Sequence, residues 1–308
     1  MTAVAPGARV AFLGLGHMGM PMARNLASAG YDVVGFDVSE GAMQAAKEAG
    51  IATASSGPDA ATTARVVITM FQTGAQVLGA YTGAGDGDGL LAVAPPGTLF
   101  IDCSTISVDE AREAHRLAVA AGHRALDAPV SGGVVGAENA TLAFMVGGGA
   151  DDFEAARPLL EVMGRRVVHC GGDGLGQAAK VCNNMILAVS QIAVAEAFVL
   201  GERLGLTHQA LFDVASNASG QCWALTTNCP VPGPVPTSPA NRDYRPGFAG
   251  SLMSKDLGLA ERAIESTGVD AKLGLMAREI YRDYADGAGA NQDFSGIINK
   301  IRAMSGDR

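Results

Sequence analysis

Short apolar runs recur through the first half of the chain, at residues 9–13, 32–36, 65–70, 98–102, 123–127, 142–146 and 166–170. Each is short and apolar nearly throughout, which marks strands buried on both faces. Between them lie Ala-rich segments of helical character, such as 18–29, 40–49 and 107–121. Buried strands alternating with helices predict a parallel, doubly wound sheet, an α/β architecture. The pattern changes after Gly171-Gly172-Asp173-Gly174. Residues 177–204 form one long segment that is hydrophobic nearly all round, so this helix needs cover from its own domain or from a partner subunit. Further helices are expected at 207–218, 251–267, 272–285 and 294–304. Pro230, Pro232, Pro234 and Pro236 exclude both helix and central strand between the first two of these. The expected domains are therefore 1–173, with a mixed α/β fold, and 174–308, all-α and beginning with the long helix.

Composition narrows the function classes. Lys plus Arg number 22 against 31 Asp plus Glu, a net charge of −9 that argues against a nucleic-acid surface. The five cysteines form no CxxC pair and lie in apolar or mixed stretches, so buried reduced thiols are expected. No signal-like apolar region precedes residue 10. The longest apolar stretch, 185–200, is broken by Ser190, Gln191 and Glu196 and reads as too short to cross a bilayer. A cytoplasmic protein without membrane or nucleic-acid partners is the expectation.

The first strand runs straight into Gly14-Leu15-Gly16-His17-Met18-Gly19, and a helical segment follows. GxGxxG alone is weak in a chain with 41 glycines. Its setting between strand and helix makes it a dinucleotide loop. Gly14 permits the tight turn, Gly16 admits the pyrophosphate, and Gly19 lets helix pack on strand. The helix N-terminus then offers free N–H groups to the phosphates. The second strand ends at Asp37, where a carboxylate can accept the ribose hydroxyls. No Lys or Arg follows in Val38-Ser39-Glu40 to receive a 2′-phosphate, which favours NAD over NADP. These features specify a Rossmann-type N-terminal domain.

Four further segments are hard to explain as scaffold: Asp102-Cys103-Ser104-Thr105-Ile106, Asp127 to Gly133, Gly176 to Asn184, and Lys255-Asp256-Leu257-Gly258-Leu259-Ala260. With the glycine loop they resemble, over essentially the whole chain, the β-hydroxyacid dehydrogenase family. Cys222-Trp223 and Asn228 to Gly233 look most like members acting on 3-hydroxyisobutyrate. His17 stands where the family usually has Asn, and Met70-Phe71-Gln72 replaces Met-Leu-Pro. The missing Pro removes a φ restriction from that loop.

Lys180 is a lone cation entering a long apolar helix, where desolvation favours a neutral amine suited to proton transfer. The resemblance implies that it is the catalytic acid/base. Asn184, four residues on, shares its helical face and can donate to substrate oxygen. Ser131, Gly132 and Gly133 offer a hydroxyl and exposed N–H groups for a carboxylate. The resemblance places Lys255 over the nicotinamide side, and Met70, Phe71, Gln72, Gln76 and Thr105 against the dinucleotide. The histidines show no metal spacing, and no metal is expected.

The resemblance implies NAD-linked oxidation of 3-hydroxyisobutyrate to methylmalonate semialdehyde, a step of valine breakdown. Reduction of tartronate or succinic semialdehyde is a close alternative. A non-catalytic dinucleotide-binding scaffold is a more distant one. A homodimer or homotetramer is expected from the apolar long helix.

Overall fold

The computed structural model describes residues 3–83 and 87–306. The chain divides into two compact units, Met1–Lys180 and Val181–Arg308. Among the described residues the first unit carries strands β1 (Arg9–Leu13), β2 (Asp32–Phe36), β3 (Ala52–Thr53), β4 (Val66–Thr69), β5 (Leu99–Asp102), β6 (Arg124–Asp127), β7 (Val130–Ser131), β8 (Leu142–Gly148) and β9 (Gly164–Gly171). They form one sheet in the order β3-β2-β1-β4-β5-β6-β8-β7, with β9 also paired to β8. The first six strands are parallel throughout. Strands are added to one side of β1 as far as β3 and then to its other side from β4 onward, which makes the ends of β1 and β4 the crevice of a doubly wound sheet.

Strand alternation builds the two faces of this sheet. Val10 and Phe12 of β1 join the core on one side, whereas Ala11 and Leu13 join the other. Helices α1 (Gly19–Ser28), α2 (Glu40–Glu48), α3 (Gly57–Ala61), α4 (Gly74–Thr82), α5 (Leu90–Val93), α6 (Val108–Ala120), α7 (Gly133–Glu138) and α8 (Ala150–Met163) connect the strands. The hydroxyls of Ser39, Ser56, Thr73 and Ser107 accept backbone N–H groups at the starts of α2, α3, α4 and α6.

The sheet is parallel-dominated, as expected, with one reversal. β8 pairs antiparallel with both β6 and β7, because the connection through β7 and α7 folds the chain back and β8 enters reversed. The two-residue strands β3 and β7 are too short to show a period and escape pattern reading.

Helix α9 (Leu175–Arg203) begins in the first unit and continues through the second, which adds α10 (His208–Ala215), α11 (Trp223–Thr226), α12 (Gly250–Thr267), α13 (Lys272–Ala285) and α14 (Ile297–Met304). The bilayer-length expectation needs correction. α9 has 29 residues and an 18-residue window of mean hydropathy 1.6, enough by length and composition to cross a membrane. Gln177, Lys180, Asn184 and Gln191 are buried within the protein, however, whereas Asn183, Glu196 and Arg203 are exposed. Ala188, Ile192, Ala195, Phe198 and Val199 pack with Met253, Leu257 and Tyr281 in one core. That face of α9 is core, while Ile186 and Leu200 lie outside it.

A buried carboxylate pins the irregular part of the second unit. Asp293 Oδ1 accepts from Asn228 Nδ2, Ser295 N and Ser295 Oγ, and Oδ2 accepts from Gly247 N and Phe248 N. The proline stretch is held by Tyr244, whose hydroxyl donates to Pro230 O at 2.8 Å. All five cysteines are free thiols, but Cys103 and Cys229 alone are buried; Cys170 and Cys222 are half-buried and Cys182 is exposed.

Candidate active site

The turn after β1 is built by glycines that a side chain would disrupt. Gly14 has φ +94°, and a Cβ there would lie 2.3 Å from Met70 O. A Cβ on Gly19 would lie 1.8 Å from Gly14 O, whereas one on Gly16 would meet nothing within 4 Å. Gly14 and Gly19 thus fold the loop, and Gly16 leaves open space beside it. Leu15, His17 and Met18 complete the turn. α1 starts at Met18 without a side-chain cap and without an acidic residue in its first turn. Its N–H groups and positive dipole end therefore suit a phosphate.

Asp37 does more than the sequence suggested. Its Oδ2 accepts from Leu15 N at 2.7 Å and its Oδ1 from Ser39 N at 2.8 Å. Each carboxylate oxygen retains a lone pair for a ribose hydroxyl. The open space at Gly16, the uncapped helix start and this acceptor fit a dinucleotide.

The neighbouring loops are tied to one another. Phe71 N donates to Ser104 Oγ at 2.8 Å, and Ser104 N donates to Asp102 Oδ1 at 3.2 Å. This brings Met70-Phe71 and the Ser104-Thr105 turn together at the ends of β4 and β5. Gln72 and Gln76 are exposed. Gln76 Oε1 accepts from Gln72 N and Thr73 N, and Thr73 Oγ1 accepts from Gln76 N, a capping box for α4. Its amide NH₂ is the group it can still turn to a ligand.

The head of α9 is fixed from the sheet. Asp127, at the end of β6, accepts from Gly174 N at 2.9 Å through Oδ1 and from Gln177 N at 2.8 Å through Oδ2. Burial raises its carboxyl above the usual range, and these amides pull it back. The buried Gln177 side chain donates to Ser104 O at 2.7 Å and accepts from Ile106 N at 3.3 Å. Lys180 follows on the next turn and is 6% exposed, so it is no surface lysine. Ser131 ends β7, and Gly132 and Gly133 adopt φ +137° and +62°. That conformation favours glycine.

In the second unit, Asn184 is 2% exposed and donates through Nδ2 to Asp256 Oδ2 at 2.6 Å. Asn183 donates through Nδ2 to Asn184 Oδ1 at 3.0 Å. The amide of Asn184 is thereby fixed in orientation with one hydrogen left to give. Lys255 Nζ lies 3.8 Å from Asp256 Oδ1. Sequence reading missed Asp256 as the partner of Asn184. Its only sequence signal was membership of the Lys255 to Ala260 motif.

Two family models match consecutively: the NAD binding domain of 6-phosphogluconate dehydrogenase over residues 9–172, and the NAD-binding domain of NADP-dependent 3-hydroxyisobutyrate dehydrogenase over residues 174–301. A probable 3-hydroxyisobutyrate dehydrogenase of Mycobacterium tuberculosis is 57% identical over 296 residues, 96% of this chain and 98% of the relative. An NAD-dependent L-serine dehydrogenase of Pseudomonas aeruginosa is 46% identical, covering 95% of this chain and 97% of its own. The solved structure of the Mycobacterium tuberculosis enzyme with L-serine superposes with a TM-score of 0.91 at 57% identity, covering 95% of this chain and 98% of that one. A dinucleotide loop joined to this degree of likeness over both halves shows the family: the chain belongs to the β-hydroxyacid dehydrogenases, closely similar to proteins named 3-hydroxyisobutyrate dehydrogenase, as an NAD-dependent oxidoreductase.

Proposed function

We propose that this chain oxidises 3-hydroxyisobutyrate to methylmalonate semialdehyde, a step of valine breakdown. The observation that carries the reading is a buried lysine, Lys180, on a helix whose head is clamped to the sheet by Asp127. Neutral Lys180 takes the hydroxyl proton of the substrate. NAD, when bound, supplies the acceptor for the hydride from the same carbon. Ser131, Gly132 and Gly133 hold the substrate carboxylate through hydroxyl and backbone N–H groups. Asn184 gives its remaining amide hydrogen to a substrate oxygen, and Lys255 covers the nicotinamide side.

Gly14, Leu15, Gly16, His17, Met18, Gly19, Asp37, Met70, Phe71, Gln72, Gln76 and Thr105 hold the dinucleotide in this reading. Residues 1–173 serve as the dinucleotide-binding part and 174–308 as the part for substrate and oligomerisation. Ile186 and Leu200 of α9 and Leu273 and Met276 of α13 are more than half exposed. Such side chains support a homodimer or homotetramer, which sedimentation would read directly. We place the enzyme in the cytoplasm.

A second reading, oxidation of L-serine, is favoured by the Pseudomonas aeruginosa relative and by the L-serine in the Mycobacterium tuberculosis structure. Both substrates are 3-hydroxy acids and need the same base and clamp. Turnover on 3-hydroxyisobutyrate, L-serine, glycerate and 4-hydroxybutyrate, each with NAD and NADP, separates them. The proposal expects the highest kcat/KM with 3-hydroxyisobutyrate and NAD, and a larger value for L-serine replaces it. Lys180→Ala should lower kcat by about 10²- to 10⁴-fold and leave the Kd for NAD nearly unchanged. Equal loss of both would remove Lys180 from the chemistry.

A further inference from the structure

Behind the Phe71 and Thr105 loops, the first unit encloses a cavity of about 10 Å³ lined by Tyr81, Asp102, Ala111, Ala114, His115 and Asp127, among others. Two polar atoms of these residues, Asp102 Oδ2 and His115 Nδ1, are buried and have no hydrogen-bond partner among the described residues. The other end of each group is engaged. Asp102 Oδ1 accepts from Thr69 Oγ1 at 2.8 Å and from Ser104 N at 3.2 Å. His115 Nε2 lies 3.2 Å from Asp173 Oδ1. With Nε2–H donated to Asp173, a neutral imidazole presents Nδ1 as an acceptor. Two acceptors on one cavity call for a ligand with two hydrogens to give, and the volume suits one water molecule. Leaving either acceptor unmet is costly, most of all the carboxylate.

We infer that this cavity is a binding site for a single water, which donates one hydrogen to Asp102 Oδ2 and the other to His115 Nδ1. The bridge links a buried carboxylate next to the dinucleotide loops, through an imidazole, to Asp173 at the surface. Asp102 is faced by Thr69 from β4, Tyr81 from α4, Cys103 and Ser104 of its own turn, His115 from α6 and Asp127 from β6. Of these, only His115 can bring positive charge to it. Burial, with a smaller push from the Asp127 charge, drives the Asp102 carboxyl up to about 6. A donated water hydrogen favours the ionised form and draws it back down. Ionised Asp102 is the stronger acceptor for Thr69 and Ser104, and Ser104 Oγ holds Phe71 N–H. The water thus keeps both loops ordered at neutral pH, and proton uptake at Asp102 loosens them. This last consequence rests on the assignment of Phe71 and Thr105 to the dinucleotide; the water site does not.

A crystal structure of the full chain with NAD, at a resolution that shows ordered waters, should contain one density peak about 2.6–3.2 Å from both atoms. No peak, or a peak reaching only one of them, overturns the site. In solution, the carboxyl titration of ¹³C-labelled Asp102 and the NAD affinity are followed against pH in the wild type and in His115→Phe. The Asp102 midpoint should rise by about one pH unit in the variant, and the pH at which NAD affinity falls should rise with it. An unmoved midpoint overturns the bridge, and a moved midpoint with an unmoved affinity profile overturns the coupling to the loops. His115→Asn, which keeps an acceptor near Nδ1, should restore the wild-type midpoint. Failure to restore it assigns the effect to packing and overturns the bridge.

Discussion

Gly16→Ala and Gly19→Ala add the same methyl group three residues apart, yet should act on different properties. At Gly19 the new Cβ would sit 1.8 Å from Gly14 O and 3.0 Å from Phe12 Cε1. The nearer obstacle is backbone, which cannot rotate away, so the loop or the helix must shift. Overpacking of this kind costs about 3 kcal/mol, or roughly 6–12 °C in Tm for a unit of this size. At Gly16 the methyl enters open space, and φ lies outside the left-handed region. Folding should be unchanged or slightly favoured, by about 0.5 kcal/mol, because alanine has less freedom to lose. The methyl instead occupies room that a pyrophosphate needs. Loss of one or two charge-assisted hydrogen bonds there amounts to about 3 kcal/mol, roughly a hundredfold in Kd. Urea unfolding and calorimetric NAD titration on both variants measure the two effects. If Gly16→Ala loses stability as Gly19→Ala does, or keeps full NAD affinity, the division of labour within the loop is wrong.

Asp102→Asn should flatten the acid dependence of stability. With its carboxyl up at about 6 against an ordinary 3.8, the folded chain holds a proton that the unfolded chain has released. This group's contribution is therefore greatest below about pH 4 and is lost as pH rises through 6. The span is about 3 kcal/mol at most, read by urea unfolding from pH 4 to 8. Asp127→Ala should cost about 3 kcal/mol through two lost amide bonds, and hydrogen exchange should speed up at Gly174 and Gln177. Asp256→Ala should raise KM for the hydroxy acid roughly tenfold with KM for NAD unmoved, since Asn184 loses its fixed orientation.

What was legible in the chain was local. The β1 strand, the glycine turn, α1 and Asp37 all lie within one β–α–β stretch, where spacing alone places the groups. What was not legible was carried by contacts far apart in sequence. Asp127 reaches amides 47 and 50 residues away, and Asp256 reaches Asn184 across 72. No period in the sequence encodes such pairs. Gln76 is a different case. Its capping box with Thr73 is a local signature that could have been read, and the resemblance drew attention to the ligand instead. The reversal of β8 depended on how the chain turns after β6, which apolar patterning does not report.

The two bonds from Asp127 to the head of α9 bear on how such enzymes can be recombined. Lys180 is set one turn beyond the anchored Gln177, so its place is registered to the sheet through β6. A chimera that exchanges the helical half at residue 173 would separate the lysine from the strand that fixes it. Crossing over after Lys180 keeps strand, anchor and lysine from one parent, and leaves the helical half as the replaceable module.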